Sequence, residues 1–73
     1  MSDEDLFASL SVRLRDAHQR VGSLQAEDAQ KARVARRLLA ISDASKHDLA
    51  RASGRLDRLL ADLDAGRFPS PED

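Results

Sequence analysis

Side chains that could bind a metal ion or transfer a proton are few in this sequence, and they form no recognised catalytic pattern. Asp43 and His47 are four residues apart, a spacing that places two metal ligands on one face of a helix. A third ligand at a suitable spacing is missing, and the sequence has neither a cysteine nor a glycine-rich phosphate loop. We therefore expect no catalytic residue, metal ion or cofactor, and we predict that the protein is not an enzyme.

Arginines are the main side chains here that could bind an anion. One short segment contains Lys31, Arg33, Arg36 and Arg37. Such a group can contact a phosphate backbone, although two acidic residues just before it offset part of its charge. The candidates for nucleic-acid contact are Arg33, Arg36, Arg37, Arg55 and Arg58.

The elements that would position these residues are helices, and the segment at about 45–65 has the clearest pattern. Its apolar residues recur every three or four positions, as in a helix that buries one face. These residues are Leu49, Ala52, Leu56, Leu59, Leu60 and Leu63. Ser45 is the expected N-cap, supported by Asp48 as in a capping box. Gly66 suits the left-handed position after a helix, and Pro69 and Pro71 prevent its continuation.

Two earlier segments, at about 2–22 and 25–41, show the same period. The first begins at Ser2 or Asp3, and its apolar face contains Leu6, Leu10, Leu14, Ala17, Val21 and Leu24. The inner positions expected in the second are Ala32, Ala35, Leu38, Leu39 and Ile41, with Val34 as an additional contact. Gly22 favours a bend or an end of the first helix, and Ser23 is a candidate N-cap for the second.

An unbroken heptad pattern from residue 10 to residue 63 would also fit one long coiled coil. Polar residues occupy this pattern at positions 28, 31, 42 and 45, close to the expected breaks. We therefore predict an all-α fold of two or three antiparallel helices, at about 2–22, 25–41 and 45–65, in a small helical hairpin or bundle. Residues 1–66 form a single domain, and residues 67–73 are expected to be a disordered tail.

The composition favours completion of this small core by dimerisation. Domains below about 70–80 residues obtain only about 3–5 kcal/mol from their own core unless a disulfide or a metal ion supports them. Many apolar positions here are alanine, which buries little area. We therefore predict a homodimer, with another protein as a further partner. The residues expected in the core or the dimer interface are Leu10, Leu14, Val21, Leu38, Leu49, Leu56, Leu59 and Leu63.

Charge and hydropathy restrict the environment of the protein. The sequence has 13 acidic and 12 basic residues, whereas nucleic-acid-binding domains usually have a basic excess. No segment approaches the roughly 18 apolar residues of a membrane helix, and the acidic N-terminus is unlike a secretory signal. We expect a cytoplasmic protein that does not enter a membrane.

The second half of the chain resembles the Cro/C1-type helix-turn-helix family over residues 35–70. The matching residues are Leu38, Leu49, Ala50, Ser53, Gly54, Leu60, Leu63, Asp64, Gly66, Pro69 and Ser70. The resemblance implies that Gly54 forms the turn between two helices and that residues 55–62 enter the major groove of DNA. Asp57 and Asp62 lie on that reading face, where they would repel phosphates.

A shorter stretch around His18, AHQRVGS, is similar to the histidine phosphotransfer motif. Gly22 and Ser23 match, and Val21 stands where the motif has a lysine. This resemblance implies that His18 accepts a phosphoryl group.

Helical faces rich in leucine are the dominant feature of the sequence. They lead us to predict a small protein–protein interaction module that acts as an adaptor, inhibitor or regulator through coiled-coil-like helix packing. The alternative is a DNA-binding transcriptional regulator of helix-turn-helix type.

Overall fold

The chain folds into three α-helices, which confirms the predicted all-α class. The computed structural model describes residues 2–69, apart from the side chain of Asp3. The helices are α1 (Asp3–Ser23), α2 (Asp28–Ala44) and α3 (Leu49–Asp64). Residues 24–27 and 45–48 lie between the helices, so the heptad pattern does not form one long helix.

The helices form an up-down-up bundle in which α1 and α3 run parallel. Arg13 of α1 pairs with Asp57 of α3, and Arg20 pairs with Asp64. The partners are 44 residues apart in both pairs. A step along α1 therefore corresponds to an equal step along α3 in the same direction. The short connections on either side of α2 reverse the chain twice, so α2 runs antiparallel to both neighbours.

The core lies on the common axis of the three helices, and each helix supplies three or four side chains to it. These are Leu10, Leu14 and Ala17 from α1, Val34, Leu38 and Ile41 from α2, and Ala52, Leu56, Leu59 and Leu63 from α3. Burying a leucine, isoleucine or valine side chain stabilises the fold by about 1.5–3 kcal/mol. The radius of gyration of 12.2 Å is near the value of about 11 Å typical for a globular domain of this length.

The start of α3 differs from the predicted one. The N-cap is Asp48, whose carboxylate accepts a hydrogen bond from the backbone N–H of Arg51 at 3.1 Å. Ser45, the predicted cap, continues the helical backbone of α2 as its C-cap. Its buried hydroxyl donates to the carbonyl oxygen of Ser42 at 2.6 Å. Asp48 has the extended backbone that an N-cap requires, and Ser45 does not.

The start of α2 also lies later than expected. Ser23 is the last residue of α1, where its hydroxyl donates to the carbonyl of Arg20 at 3.3 Å. The N-cap of α2 is Glu27, and its backbone N–H donates to Oε1 of Gln30 at 3.1 Å. This bond is half of a capping box, which satisfies a backbone donor before the first helical turn.

The three glycines have two different roles. Gly22 and Gly54 lie inside α1 and α3, so neither forms a turn between helices. The turn that the Cro/C1 resemblance implies at Gly54 is therefore not formed, and residues 49–64 are one helix. Gly66 has a φ of 77° and ends α3 as expected. Around it, the N–H of Gly66 donates to Leu63 and the N–H of Arg67 to Asp62, as in a Schellman motif.

Two positions of α2 that were expected inside the bundle face outward. Ala32 is exposed, and the side chain of Leu39 is 60% exposed. Val34, expected only as an additional contact, is fully buried and belongs to the core. The reason is helical geometry, because Val34, Leu38 and Ile41 share one face and the next residue after Leu38 turns away from it.

Candidate functional site

An open groove of about 900 Å³ lies between α2, α3 and the segment that follows α3. We call it the arginine groove. It is lined by Arg37, Ala40, Ile41, Arg55, Arg58, Leu59, Asp62, Arg67, Phe68 and Pro69. Ile41 and Leu59 are buried members of the core. The groove therefore has an apolar floor and charged sides.

Helical spacing explains why these residues meet. Arg55, Arg58 and Asp62 are three and four residues apart on α3, so they project from one flank of that helix. Arg37 and Ala40 are three apart on α2, and the antiparallel packing of α2 against α3 turns their flank toward Arg55 and Arg58. Two arginine-bearing flanks thus line the same depression.

The charge of the groove is positive. Four arginines and one aspartate line it. The carboxylate of Asp62 accepts hydrogen bonds from Nε and Nη2 of Arg67, at 3.2 and 2.8 Å, so its charge is already compensated. Within residues 2–69, the guanidinium groups of Arg55 and Arg58 have no hydrogen-bond or ion-pair partner. These two side chains are the ones best placed to bind an added anion.

The segment Arg67–Pro69, which we call the strap, forms one wall of the groove. Phe68 is half-buried and packs against the core. Nε of Arg33 donates a hydrogen bond to the carbonyl oxygen of Pro69 at 3.0 Å. These three residues belong to the predicted tail, and they lie against the bundle. Residues 70–73 of that tail lie outside the described residues.

The chain matches no protein-family model. Comparisons with curated proteins and with solved structures find no significant similarity either. The groove is therefore the basis for proposing a function.

The structure brings together most of the arginines predicted to contact nucleic acid. Arg37, Arg55 and Arg58 line the groove, and Arg33 borders it through its hydrogen bond to the strap. Arg36 is exposed and does not line the groove. Arg67 was not predicted as a site residue. The signal for it was Gly66, because a left-handed cap reverses the chain direction and can return the following residues to the helix surface.

The residues predicted for the core or the dimer interface lie mainly inside the single chain. Leu10, Leu14, Leu38, Leu56, Leu59 and Leu63 are buried, and Val21 and Leu49 are partly buried and pack against them. The three helices therefore cover the leucine-rich faces that led to the prediction of a dimer. Dimerisation itself remains a prediction.

The histidines are outside the groove, and both are exposed. Asp43 forms an ion pair with Lys46 at 3.7 Å. Over residues 2–69, no three His, Cys, Asp or Glu residues are close enough to hold a metal ion. In the same part of the chain, no helix combines the length and apolar character needed to cross a membrane.

Proposed function

We propose that this protein is a small helical interaction module that binds an anionic segment of another protein in the arginine groove. It would act as an adaptor, inhibitor or regulator. The observation that supports this proposal is that two helices and the strap place four arginines around an apolar floor.

An anionic partner follows from the chemistry of the groove. Guanidinium groups bind carboxylates through two parallel hydrogen bonds, and such bonds are stronger than those between neutral groups. Arg55 and Arg58 are like charges three residues apart on one helix flank, which is unfavourable in the free protein. A bound carboxylate removes that repulsion and gains hydrogen bonds from Arg55 and Arg58.

The shape of the groove favours a protein partner over duplex DNA. DNA readers usually insert a protruding helix or strand into the major groove, whereas this site is a depression between two helices. The exposed parts of Ala40, Phe68 and Pro69 in the groove offer apolar surface that a phosphate backbone cannot bury. A peptide carries both carboxylates and apolar side chains.

DNA binding is the second candidate function. The specific observation that favours it is that Arg37, Arg55 and Arg58 lie on one surface. Asp57 does not oppose this function as the sequence implied, since it points toward α1 and pairs with Arg13. With one continuous α3, DNA contact would rely on phosphates instead of a helix-turn-helix.

Binding of two labelled probes tests the proposal. Decaglutamate and a short mixed-sequence DNA duplex are titrated with the full chain, and fluorescence anisotropy is measured at low and physiological salt. We expect R55E/R58E to weaken decaglutamate binding at least about tenfold, which corresponds to the loss of one or two charge-assisted hydrogen bonds.

The matched control is R15E/R36E, which changes the net charge equally at two exposed sites outside the groove. At physiological salt we expect its affinity to stay within about twofold of the parent protein, because remote charges are screened. An equal loss in both variants, or no binding of decaglutamate, would contradict the proposal. Duplex DNA binding that is stronger than decaglutamate binding and equally sensitive to R55E/R58E would favour the second candidate.

The homodimer remains a separate proposal, because it does not involve the groove. Among the described residues, the large apolar side chains still exposed are Phe7, Val12 and Leu39. Sedimentation equilibrium over a range of concentrations would detect a dimer. A single monomeric mass at all concentrations would remove this proposal and leave the groove proposal intact.

A further inference from the structure

The strap indicates how a partner would use the arginine groove. Three features are combined in it: a non-helical backbone, an aromatic side chain packed on the core and a main-chain carbonyl bound by an arginine. The bundle surface therefore already packs a non-helical peptide backbone at the wall of the groove, and the free space beside the strap is about 900 Å³.

We propose that the partner segment is an extended acidic peptide with a bulky apolar residue, lying along the strap. This inference rests on the proposed function and specifies the chemistry of the partner. The carboxylates would bind Arg55 and Arg58 on the α3 side. The apolar side chain would contact Phe68 and Ala40.

Both parts of this occupant are required by the residues that line the site. A purely anionic ligand would leave Ala40 and the exposed parts of Phe68 and Pro69 without an apolar partner. A purely apolar ligand would bury guanidinium groups without a counter-charge, which is costly. A helical ligand would keep its main-chain carbonyls in its own hydrogen bonds, whereas an extended one leaves them free to accept from arginine.

The test compares two peptides that differ only in the apolar residue. Glu-Glu-Phe-Pro-Glu-Glu contains phenylalanine as the apolar residue, which we call the anchor, and its proline disfavours a helix. Glu-Glu-Gly-Pro-Glu-Glu has the same charge without the anchor. We expect the full chain to bind the first peptide about fivefold more tightly, because a phenylalanine gains from even partial burial.

A second variant, F68A, tests whether the phenylalanine anchor of the peptide contacts the strap. In F68A we expect the Phe peptide to lose most of its advantage, while the Gly peptide keeps its affinity. Circular dichroism must show unchanged helicity, which is expected because Phe68 is only partly buried.

Glu72 and Asp73 follow the strap in sequence. Each titration is therefore repeated in an E72Q/D73N background, in which these carboxylates cannot compete.

The outcomes separate this inference from the proposed function. Equal affinity for both peptides, abolished in R55E/R58E, would overturn the inference and retain an anion-binding groove. Tighter binding of the Phe peptide to F68A would mean that the strap competes with the ligand instead of forming its wall, and this also overturns the inference. Failure of both peptides and of decaglutamate to bind would overturn the proposed function itself.

Discussion

The two flanks of α3 carry opposite charges, and the two helix pairs that they form differ accordingly. On the flank facing α1, Asp57 and Asp64 pair with Arg13 and Arg20, and Ser53 also accepts a hydrogen bond from Arg13 at 3.3 Å. We call this contact the α1–α3 seam. On the flank facing α2, Arg55 and Arg58 line a groove together with arginines from α2 and the strap.

The charges of the α1–α3 seam hold the bundle together, whereas those of Arg55 and Arg58 are available to a partner. In the α1–α3 seam, Asp57 and Asp64 of α3 each form an ion pair with an arginine of α1. In the arginine groove, Arg55 and Arg58 of α3 face open space without an ion-pair partner among residues 2–69. Net charge hides this arrangement, since the whole chain is nearly neutral. The distribution of charge over the helix flanks is what indicates a binding surface.

A cavity in the shared core should have the largest effect on both regions. Leu38 is 1% exposed and Leu39 is 60% exposed. We expect Leu38→Ala to lower the free energy of unfolding by about 2–5 kcal/mol, since a cavity adds to the lost transfer energy. In so small a domain this loss would remove most of the stability. Urea denaturation followed by circular dichroism measures the effect.

The neighbouring residue provides the control for this prediction. Leu39→Ala removes the same atoms from an exposed position, and we expect a change within about 0.5 kcal/mol. Similar losses in the two variants would mean that Leu39 is covered in solution. A second copy of the chain is then the first candidate to cover it, and sedimentation of the two variants would check this.

The opposed flanks depend on α3 being one continuous helix through Gly54. A Cβ at Gly54 would meet no atom within 4 Å apart from its chain neighbours and the backbone of its own helix, and the residue has no positive φ. We therefore expect Gly54→Ala to raise the free energy of unfolding by about 1 kcal/mol, because alanine loses less backbone entropy in a helix. Gly66→Ala should instead lower it by about 1 kcal/mol, since its left-handed backbone strains a side chain. Thermal denaturation of both variants would reveal opposite shifts, and a lower melting temperature for Gly54→Ala would indicate a turn at Gly54.

Two adjacent residues of α3 allow the flanks to be compared directly. Asp57→Arg breaks a partly exposed ion pair and places two arginines together, so we expect a loss of about 0.5–1 kcal/mol. Arg58→Asp introduces an acidic group among arginines, and we expect no loss or a gain of a few tenths of a kcal/mol. The double variant R13D/D57R should recover most of the first loss. Equal effects at both positions in low salt would show that the two flanks do not differ electrostatically.

The sequence predicted the helices better than their ends, and the ends better than the site. The leucine period located all three helices, because burial of one face imposes that period directly. It did not distinguish Ser45 from Asp48 as a cap, since both residue types are good N-caps and only the backbone conformation selects one. Leu39 was misplaced because a run of apolar residues in α2 satisfies more than one choice of buried face.

The arginine groove depends on information that a one-dimensional pattern does not contain. Arg37 and Arg55 are both visible as basic residues, but they share a surface only because α2 packs antiparallel to α3. The same applies to Asp57, which appeared on the reading face of a DNA-binding helix and lies in the α1–α3 seam instead. Which helix covers which flank is decided by packing of the whole chain, and the strap joins the site only after Gly66 reverses the chain.

The constant separation of 44 residues between ion-paired partners in α1 and α3 has a consequence for folding kinetics. Contacts of α2 with α1 and with α3 close short loops, whereas the α1–α3 seam closes a much longer one and costs more chain entropy. We therefore expect each helix to pack first against its neighbour in the chain, and the α1–α3 seam to form last. By the same reasoning the seam is the first of the three helix contacts to open. The groove, which is built from α2, α3 and the strap, would then outlast the seam.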